Sequence, residues 1–149
     1  MKLWVIFMRD KRKNITTEIA YIAGFFDGEG CIRIKETFSS HYLIVHITNT
    51  NRAILEYIKS LFGGSINFQE KGVNRTVYQY HLTCGDAYNF LKTVNGFLRE
   101  KRKQSEYGMK FHEIKSTISR SGRCLMARNI SEMKREPNIY ENPELLESK

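Results

Sequence analysis

Apolar residues change their spacing several times along the chain, and each change marks an element. Ile19, Ile22, Ala23 and Phe26 recur at helical spacing and predict one buried helix face. Asn14, Thr16 and Thr17 offer N-cap chemistry before it, and Glu18 falls in the first turn, where the helix dipole favours an anion. Alternation then takes over. Residues 31–37 place Ile32 and Ile34 on one face and Arg33, Lys35 and Thr37 on the other, and 42–49 form a more apolar strand with Tyr42, Ile44, His46 and Thr48 outward. Asn51 caps a helix with Ile54, Leu55, Ile58, Leu61 and Phe62 on its inner side, closed by Gly63-Gly64. Residues 65–71 alternate again, Ile66 and Phe68 inward and Asn67, Gln69 and Lys71 outward. After a loop at Gly72, Asn74 and Arg75, residues 77–83 return with Tyr78, Tyr80 and Leu82 opposite Gln79, His81 and Thr83. Gly85-Asp86 opens a helix through Tyr88, Phe90, Leu91 and Val94 to Gly96. Phe97–Gln104 begins another, continued by Tyr107, Phe111, Ile114 and Ile118. Helix, two strands, helix, two strands, helix predicts an α+β fold: one four-stranded antiparallel sheet with helices on a single face.

The ends read differently. Leu3–Met8 is apolar but too short to span a membrane, and the basic run Arg9–Lys13 follows it where a leader would carry a cleavage site. It is expected to be an appended strand or packing arm. Ser119–Met126 reads as a link, Ala127–Arg135 as a short helix and Pro137–Lys149 as a poorly ordered tail. The organisation expected is an arm over 1–13, one domain over 14–118 and a partly flexible extension over 119–149.

Charge adds a partner to this picture. Lys and Arg number 24 against 16 Asp and Glu, a formal net charge of +8 over 149 residues, which favours a polyanion and says little about fold. The uncovered sheet face collects Arg33, Lys35, His46, Asn67, Gln69, Lys71, Gln79, His81 and Thr83, with Arg75 at a loop tip. These side chains can hydrogen-bond base edges or hold phosphates. Any one-sided sheet has a polar outer face, but this one is almost free of carboxylates, since Glu36 and Glu70 fall inward or at strand ends. Cys31, Cys84 and Cys124 form no Cys-x-x-Cys pair and no His stands at zinc-finger spacing, so neither a disulfide framework nor structural zinc is expected, and a reducing compartment is. His41 and His112 have no partners at ligand spacing and read as structural or surface residues.

The chemistry concentrates in Ile19–Gly30. Ala20, Gly24 and Gly28 make a stripe with no side chain larger than a methyl, which lets another backbone come close. Gly28 and Gly30 are expected to end the helix in conformations that glycine takes cheaply. Asp27 and Glu29 then lie at a helix C-terminus, where the dipole repels anions and a cation must hold them. A divalent metal such as Mg²⁺, with its preference for hard oxygen ligands, is the natural candidate.

Ile22-Ala-Gly-Phe-Phe-Asp-Gly-Glu-Gly30 resembles the LAGLIDADG motif of the homing endonucleases, matching outright at Ala23, Gly24, Asp27 and Gly30. The likeness covers roughly Thr16 to Ile118, and a single copy is similar to the family's one-motif group. It implies a homodimeric, site-specific endonuclease that hydrolyses both strands of a long, imperfectly palindromic DNA with Mg²⁺ (or Mn²⁺), encoded in an intron or intein. By the resemblance, Glu29 from each subunit and the Gly28 carbonyl hold metal, Lys101 reaches the scissile phosphate and Asn49 orients water. The interface would run through Ala20, Gly24, Asp27 and Gly28, with Asp27 supporting the helix ends. The sheet face, Thr37 and Tyr42 included, would lie in the major groove. Glutamate replaces the family's commoner aspartate at position 29, keeping the charge but moving the oxygen by a methylene. The expected setting is inside the cell, in a prokaryotic cytoplasm or an organelle, and neither secreted nor membrane-bound. The rival readings are an RNA-binding maturase acting on intron RNA and a DNA-binding regulator without chemistry.

Overall fold

The computed structural model of the chain describes residues 2–70 and 76–135. In chain order come α1 (Lys2–Glu29), β1 (Gly30–Glu36), β2 (His41–Asn49), α2 (Arg52–Phe62), β3 (Ser65–Glu70), β4 (Thr76–Thr83), α3 (Cys84–Val94), α4 (Arg102–Ile114) and α5 (Arg120–Glu132), with 3₁₀ turns at Asn95–Phe97 and Met133–Arg135. The strands form one antiparallel sheet in the order β1-β2-β4-β3. This is the α+β architecture that the hydrophobic pattern predicts.

Alternation sets which face is covered. Ile32 and Ile34, Leu43, Val45 and Ile47, and Tyr80 and Leu82 are buried on one side of the sheet. Against them pack Ile22, Ala23 and Phe26 of α1, Leu55 and Ile58 of α2, and Ala87, Phe90, Leu91 and Val94 of α3. Phe90 takes Phe26 and Phe62 edge-on, with ring centroids 5.0 and 4.9 Å away. Each such side chain removed from water stabilises the fold by about 1.5–3 kcal/mol. Asn51 caps α2, its side chain accepting the Ala53 N–H at 3.0 Å. The helix stops at Gly63 and Gly64, whose φ of 74° and 85° suit glycine, and the Tyr80 hydroxyl donates to the Gly63 carbonyl at 2.8 Å.

Several expectations are corrected. Leu3–Met8 is not a strand, because α1 runs without a break from Lys2, so Asn14, Thr16 and Thr17 lie inside a helix and not at its N-terminus. No Gly or Pro interrupts the segment before Gly24, and the Arg9–Lys13 run is, apart from Asp10, made of good helix formers. Leu61 and Phe68, placed inward by pattern, are 54% and 62% exposed. Phe68 lies on edge strand β3, at the margin of the covered face. The link read at Ser119–Met126 is helical: Ser119 caps α5 by accepting the Gly122 N–H, and Ile130 enters the core. This part of the 119–149 extension therefore packs against the domain. Pro137–Lys149, like Lys71 and Arg75, lies outside the described residues.

Candidate functional site

The site begins where α1 passes straight into β1. Neither Gly28 nor Gly30 has a positive φ, so the helix does not end in a left-handed residue. Gly30 is required for another reason: a Cβ there would stand 2.0 Å from the Phe26 ring and 2.6 Å from the Phe26 carbonyl oxygen. The close packing of Phe26 under the junction fixes the point at which the helix must stop.

Asp27 and Glu29 leave this junction in different circumstances. The Asp27 carboxylate accepts the backbone N–H groups of Arg99, Glu100 and Lys101 at 2.7, 3.2 and 2.9 Å, and the Lys101 ammonium donates to the Asp27 carbonyl oxygen. Its charge is thereby held at the N-terminal end of α4, where the dipole favours an anion, and one end carbonyl of α1 gains a cation. Asp27 thus supports the helix end within a single chain, and its half-buried side chain stays beside the open stripe. The turn over residues 98–101, expected as the first turn of a helix, is irregular instead, since α4 starts only at Arg102. Glu29 is exposed, and no hydrogen bond or ion pair engages it among the described residues.

Register brings Asn49 to the same end of the sheet. Gly30 pairs with Ile47, so the Glu29 end of β1 lies beside Thr48 and Asn49 of β2. The Asn49 Oδ1 accepts the Asn51 N–H at 2.8 Å, which orients the amide while tying β2 to the cap of α2. Alongside α1, a Cβ on Gly24 or on Gly28 would meet nothing within 4 Å, and the neighbouring Tyr21 is 54% exposed. The small-residue stripe with Ala20 is open in the single chain.

Beside the junction is a recess lined by Gly30, Cys31, Glu100, Lys101, Gln104 and Lys134. The Gln104 side-chain oxygen is buried there without a partner, and the Lys134 ammonium lies 2.6 Å from the Cys31 sulfur. Burial alone would raise the Cys31 thiol pKa, but hydrogen bonds from His46 and Lys134, with their charges, outweigh it and bring the value down to about 6. Cys31, Gln104 and Lys134 were not among the residues the sequence points to. Nothing local signals that α5 returns along β1 and delivers Lys134 to this end.

On the uncovered face the strand register builds rows. Cys31, His46, His81 and Ser65 align across all four strands, and Thr48, Gln79 and Asn67 form the next row. Gln79 donates to the Thr48 hydroxyl at 3.3 Å, and the His46 and His81 rings stand 6.1 Å apart. Arg33, Ile34, Lys35, Ile44, His46, Gln79 and His81 line a shallow depression in this face. Arg33, Lys35, Asn67 and Thr83 are exposed; Tyr42 is half-buried on the same face, and Thr37 half-buried in the turn after β1. The backbone of Gln69 pairs with Val77 at the far edge. Burial, followed by the charges of His46 and Lys35, pushes the His81 pKa below its ordinary value.

Comparison with known proteins bears on the family and the fold. A model described as LAGLIDADG endonuclease matches residues 22–118. No curated protein sequence matches the chain. Among solved structures, the homing endonuclease I-CvuI in complex with the I-CreI target has a TM-score of 0.68 at 16% identity, covering 79% of this chain and 82% of that one. The archaeal intron-encoded homing endonuclease I-Vdi141I, complexed with DNA, has a TM-score of 0.66 at 21% identity, over 79% and 84% of the two chains. The LAGLIDADG meganuclease I-AabMI, bound to uncleaved DNA, has a TM-score of 0.54 at 27% identity, over 66% of this chain and 37% of its own. With the family match spanning the α1 terminus, the whole sheet and the turn that carries Lys101, this chain belongs to the LAGLIDADG endonuclease family.

Proposed function

We propose that two copies of this chain join through the C-terminal halves of their α1 helices and cut both strands of one DNA site inside the cell, each copy contributing a Glu29 carboxylate. Family membership makes the chain a DNA endonuclease. The pairing, the metal and the residue roles are our reading. The observation that carries it is the conjunction at the end of α1: an open small-residue stripe beside an exposed, unengaged Glu29. One chain offers one such carboxylate, and the closest approach of two stripes would bring two of them together.

The donor set fits a hard divalent cation. The Glu29 carboxylate and the Gly28 carbonyl are oxygen donors at an exposed helix end, and Mg²⁺ takes one or two carboxylates and completes its shell with phosphate and water, as Mn²⁺ can. When bound, such an ion polarises a phosphate and lowers the pKa of water. Lys101, held at the end of α1 by the Asp27 carbonyl, would place positive charge against the phosphate oxygens as charge develops on them. Asn49 has its Oδ1 occupied by the Asn51 N–H, so its NH₂ end is the part that would donate to a water or a phosphate. On the sheet, Arg33 and Lys35 would hold phosphates while Asn67, Gln79 and His81 read base edges of an imperfect palindrome.

The test is Glu29→Gln, measured for cleavage and binding on a duplex that the wild-type protein selects from a randomised pool. The variant should bind as well as wild type and not cut in Mg²⁺. Cutting at the wild-type rate would remove Glu29 from the site.

A further inference from the structure

At the opposite end of β1 from the nuclease site, three side chains from three elements converge. Glu36 ends β1, His41 opens β2 as its register partner, and α5 delivers Cys124 between them. Cys124 Sγ lies 3.5 Å from His41 Nε2 and 3.7 Å from Glu36 Oε1, and the His41 and Glu36 atoms are 3.6 Å apart. We propose that Glu36, His41 and Cys124 bind a Zn²⁺ ion that fastens α5 to the first hairpin of the sheet. The inference is independent of the nuclease reading, since it uses none of the residues assigned to cleavage.

The triangle has the size that zinc needs. With Zn–N and Zn–O at about 2.0–2.2 Å, Zn–S at about 2.3 Å and tetrahedral angles, neighbouring ligand atoms stand about 3.3–3.6 Å apart. All three sides fall within about 0.3 Å of that range, so ligation requires only small adjustments of the side chains. A thiolate with an imidazole selects borderline ions and disfavours Mg²⁺ and Ca²⁺. The Glu36 side chain is 52% exposed, leaving an entry path and room for a water as fourth ligand, whereas that of His41 is only 2% exposed and fixed in place.

The frame around the triangle is also built. The Thr37 N–H donates to the Ser40 carbonyl at 2.7 Å, and the Thr37 hydroxyl accepts the Ser40 N–H at 3.1 Å, which locks the turn joining the two sheet ligands. Arg120, in the first turn of α5, reaches the Phe38 carbonyl of that turn at 3.5 Å. Cys124 and His41 are 83 residues apart, so no sequence spacing announces the site.

Cobalt(II) reports thiolate ligation directly and stands in for zinc. The full chain, stripped with chelator and held in excess Mg²⁺ to fill sites that prefer hard ligands, is titrated with Co²⁺. We expect one equivalent to produce a thiolate-to-cobalt charge-transfer band that Zn²⁺ erases, and Zn²⁺ to raise the unfolding temperature. Cys124→Ser should abolish both effects while keeping the wild-type circular dichroism, and a Cys31→Ser, Cys84→Ser double variant should retain both. Should Cys124→Ser fail to fold, Glu36→Gln on its exposed side chain decides: weaker Zn²⁺ binding supports the site and unchanged binding overturns it. Absence of the band in the wild type, or its survival in folded Cys124→Ser, would reduce the triangle to a hydrogen-bonded contact.

Discussion

The Asp27 carboxylate accepts the Lys101 backbone N–H at 2.9 Å while the Lys101 ammonium donates back to the Asp27 carbonyl oxygen, a reciprocal clamp between residues 74 apart in sequence. It places the end of α1 against the start of α4, opposite helix poles in contact, so the carboxylate that the α1 dipole repels is held by the N–H groups preceding α4. Lys101, the cation proposed to face the phosphate, and the exposed Glu29 thereby share one support.

Removing that support should cost both stability and rate. Asp27→Ala leaves three N–H groups without their acceptor, and we expect a loss of about 1–3 kcal/mol in urea unfolding. Cleavage should fall further than DNA binding, because the backbone that carries Lys101 loses its anchor even though the ammonium keeps the Asp27 carbonyl. Asp27→Asn keeps an acceptor oxygen and should be milder in both. Equal behaviour of Asp27→Ala and wild type would show that the clamp positions nothing.

Two glycines of the same helix junction should separate folding from assembly. A Cβ on Gly24 meets nothing in the chain, whereas one on Gly30 would overlap the Phe26 ring. Gly24→Leu should therefore unfold like wild type yet sediment as a monomer and lose cleavage. Gly30→Ala should instead lower the unfolding midpoint, overpacking of this kind costing about 1–3 kcal/mol. A wild-type protein that is monomeric both free and on DNA would contradict the two-copy reading.

The parts legible in the sequence were those governed by local periodicity. Period-two alternation placed Ile32, Ile34, Leu43, Val45, Ile47, Tyr80 and Leu82 inward, and the caps at Asn51 and Gly63-Gly64 bounded α2. What failed depended on long-range position. Phe68 alternates correctly but lies on an edge strand, and Leu61 has helical phase but stays exposed. Asp27 was readable as a support and not as the partner of residues 99–101, because only the fold closes that distance. Cys124, dismissed for lack of a neighbouring ligand, finds His41 and Glu36 through the path of α5 along β1.

On the sheet, base readers should behave differently from phosphate holders. Gln79→Ala should alter preference at one or two base pairs of each half-site, a good contact being worth about 1–3 kcal/mol. Replacing exposed Arg33 or Lys35 by Met should weaken all duplexes alike and lower the slope of log affinity against log salt by about one. Identical effects of these variants on every sequence would mean that this face does not read bases.

Cys31 should be reactive while the fold is intact. With its pKa brought to about 6, its alkylation rate should reach half of its plateau near that pH, although partial burial slows access. Lys134→Met removes the ammonium 2.6 Å from the sulfur and should move the profile upward. Mass-spectrometric mapping of labelled Cys31 across pH gives the answer, and an unmoved profile would deny Lys134 its part.

Acid should act on folding and on DNA binding in opposite directions through His81. Its pKa lies below the ordinary 6.5, first because of burial and then because of His46 and Lys35. His112 is lowered too, by burial and Lys115, with Glu113 opposing. The unfolded chain titrates near the ordinary value, so between 6.5 and the depressed folded value it binds more protons than the native state. Stability is therefore indifferent to these groups above that window and falls as pH drops through it. Phosphates laid on the same face favour the protonated ring, so DNA affinity should rise over the same interval. Urea midpoints and duplex dissociation constants measured from about pH 5.5 to 7.5 should show the two opposed trends, with His81→Gln flattening the affinity trend and reducing the stability trend to the part that His112 supplies. A His81→Gln protein whose stability and affinity follow pH as steeply as wild type would assign the acid response to groups away from the sheet face.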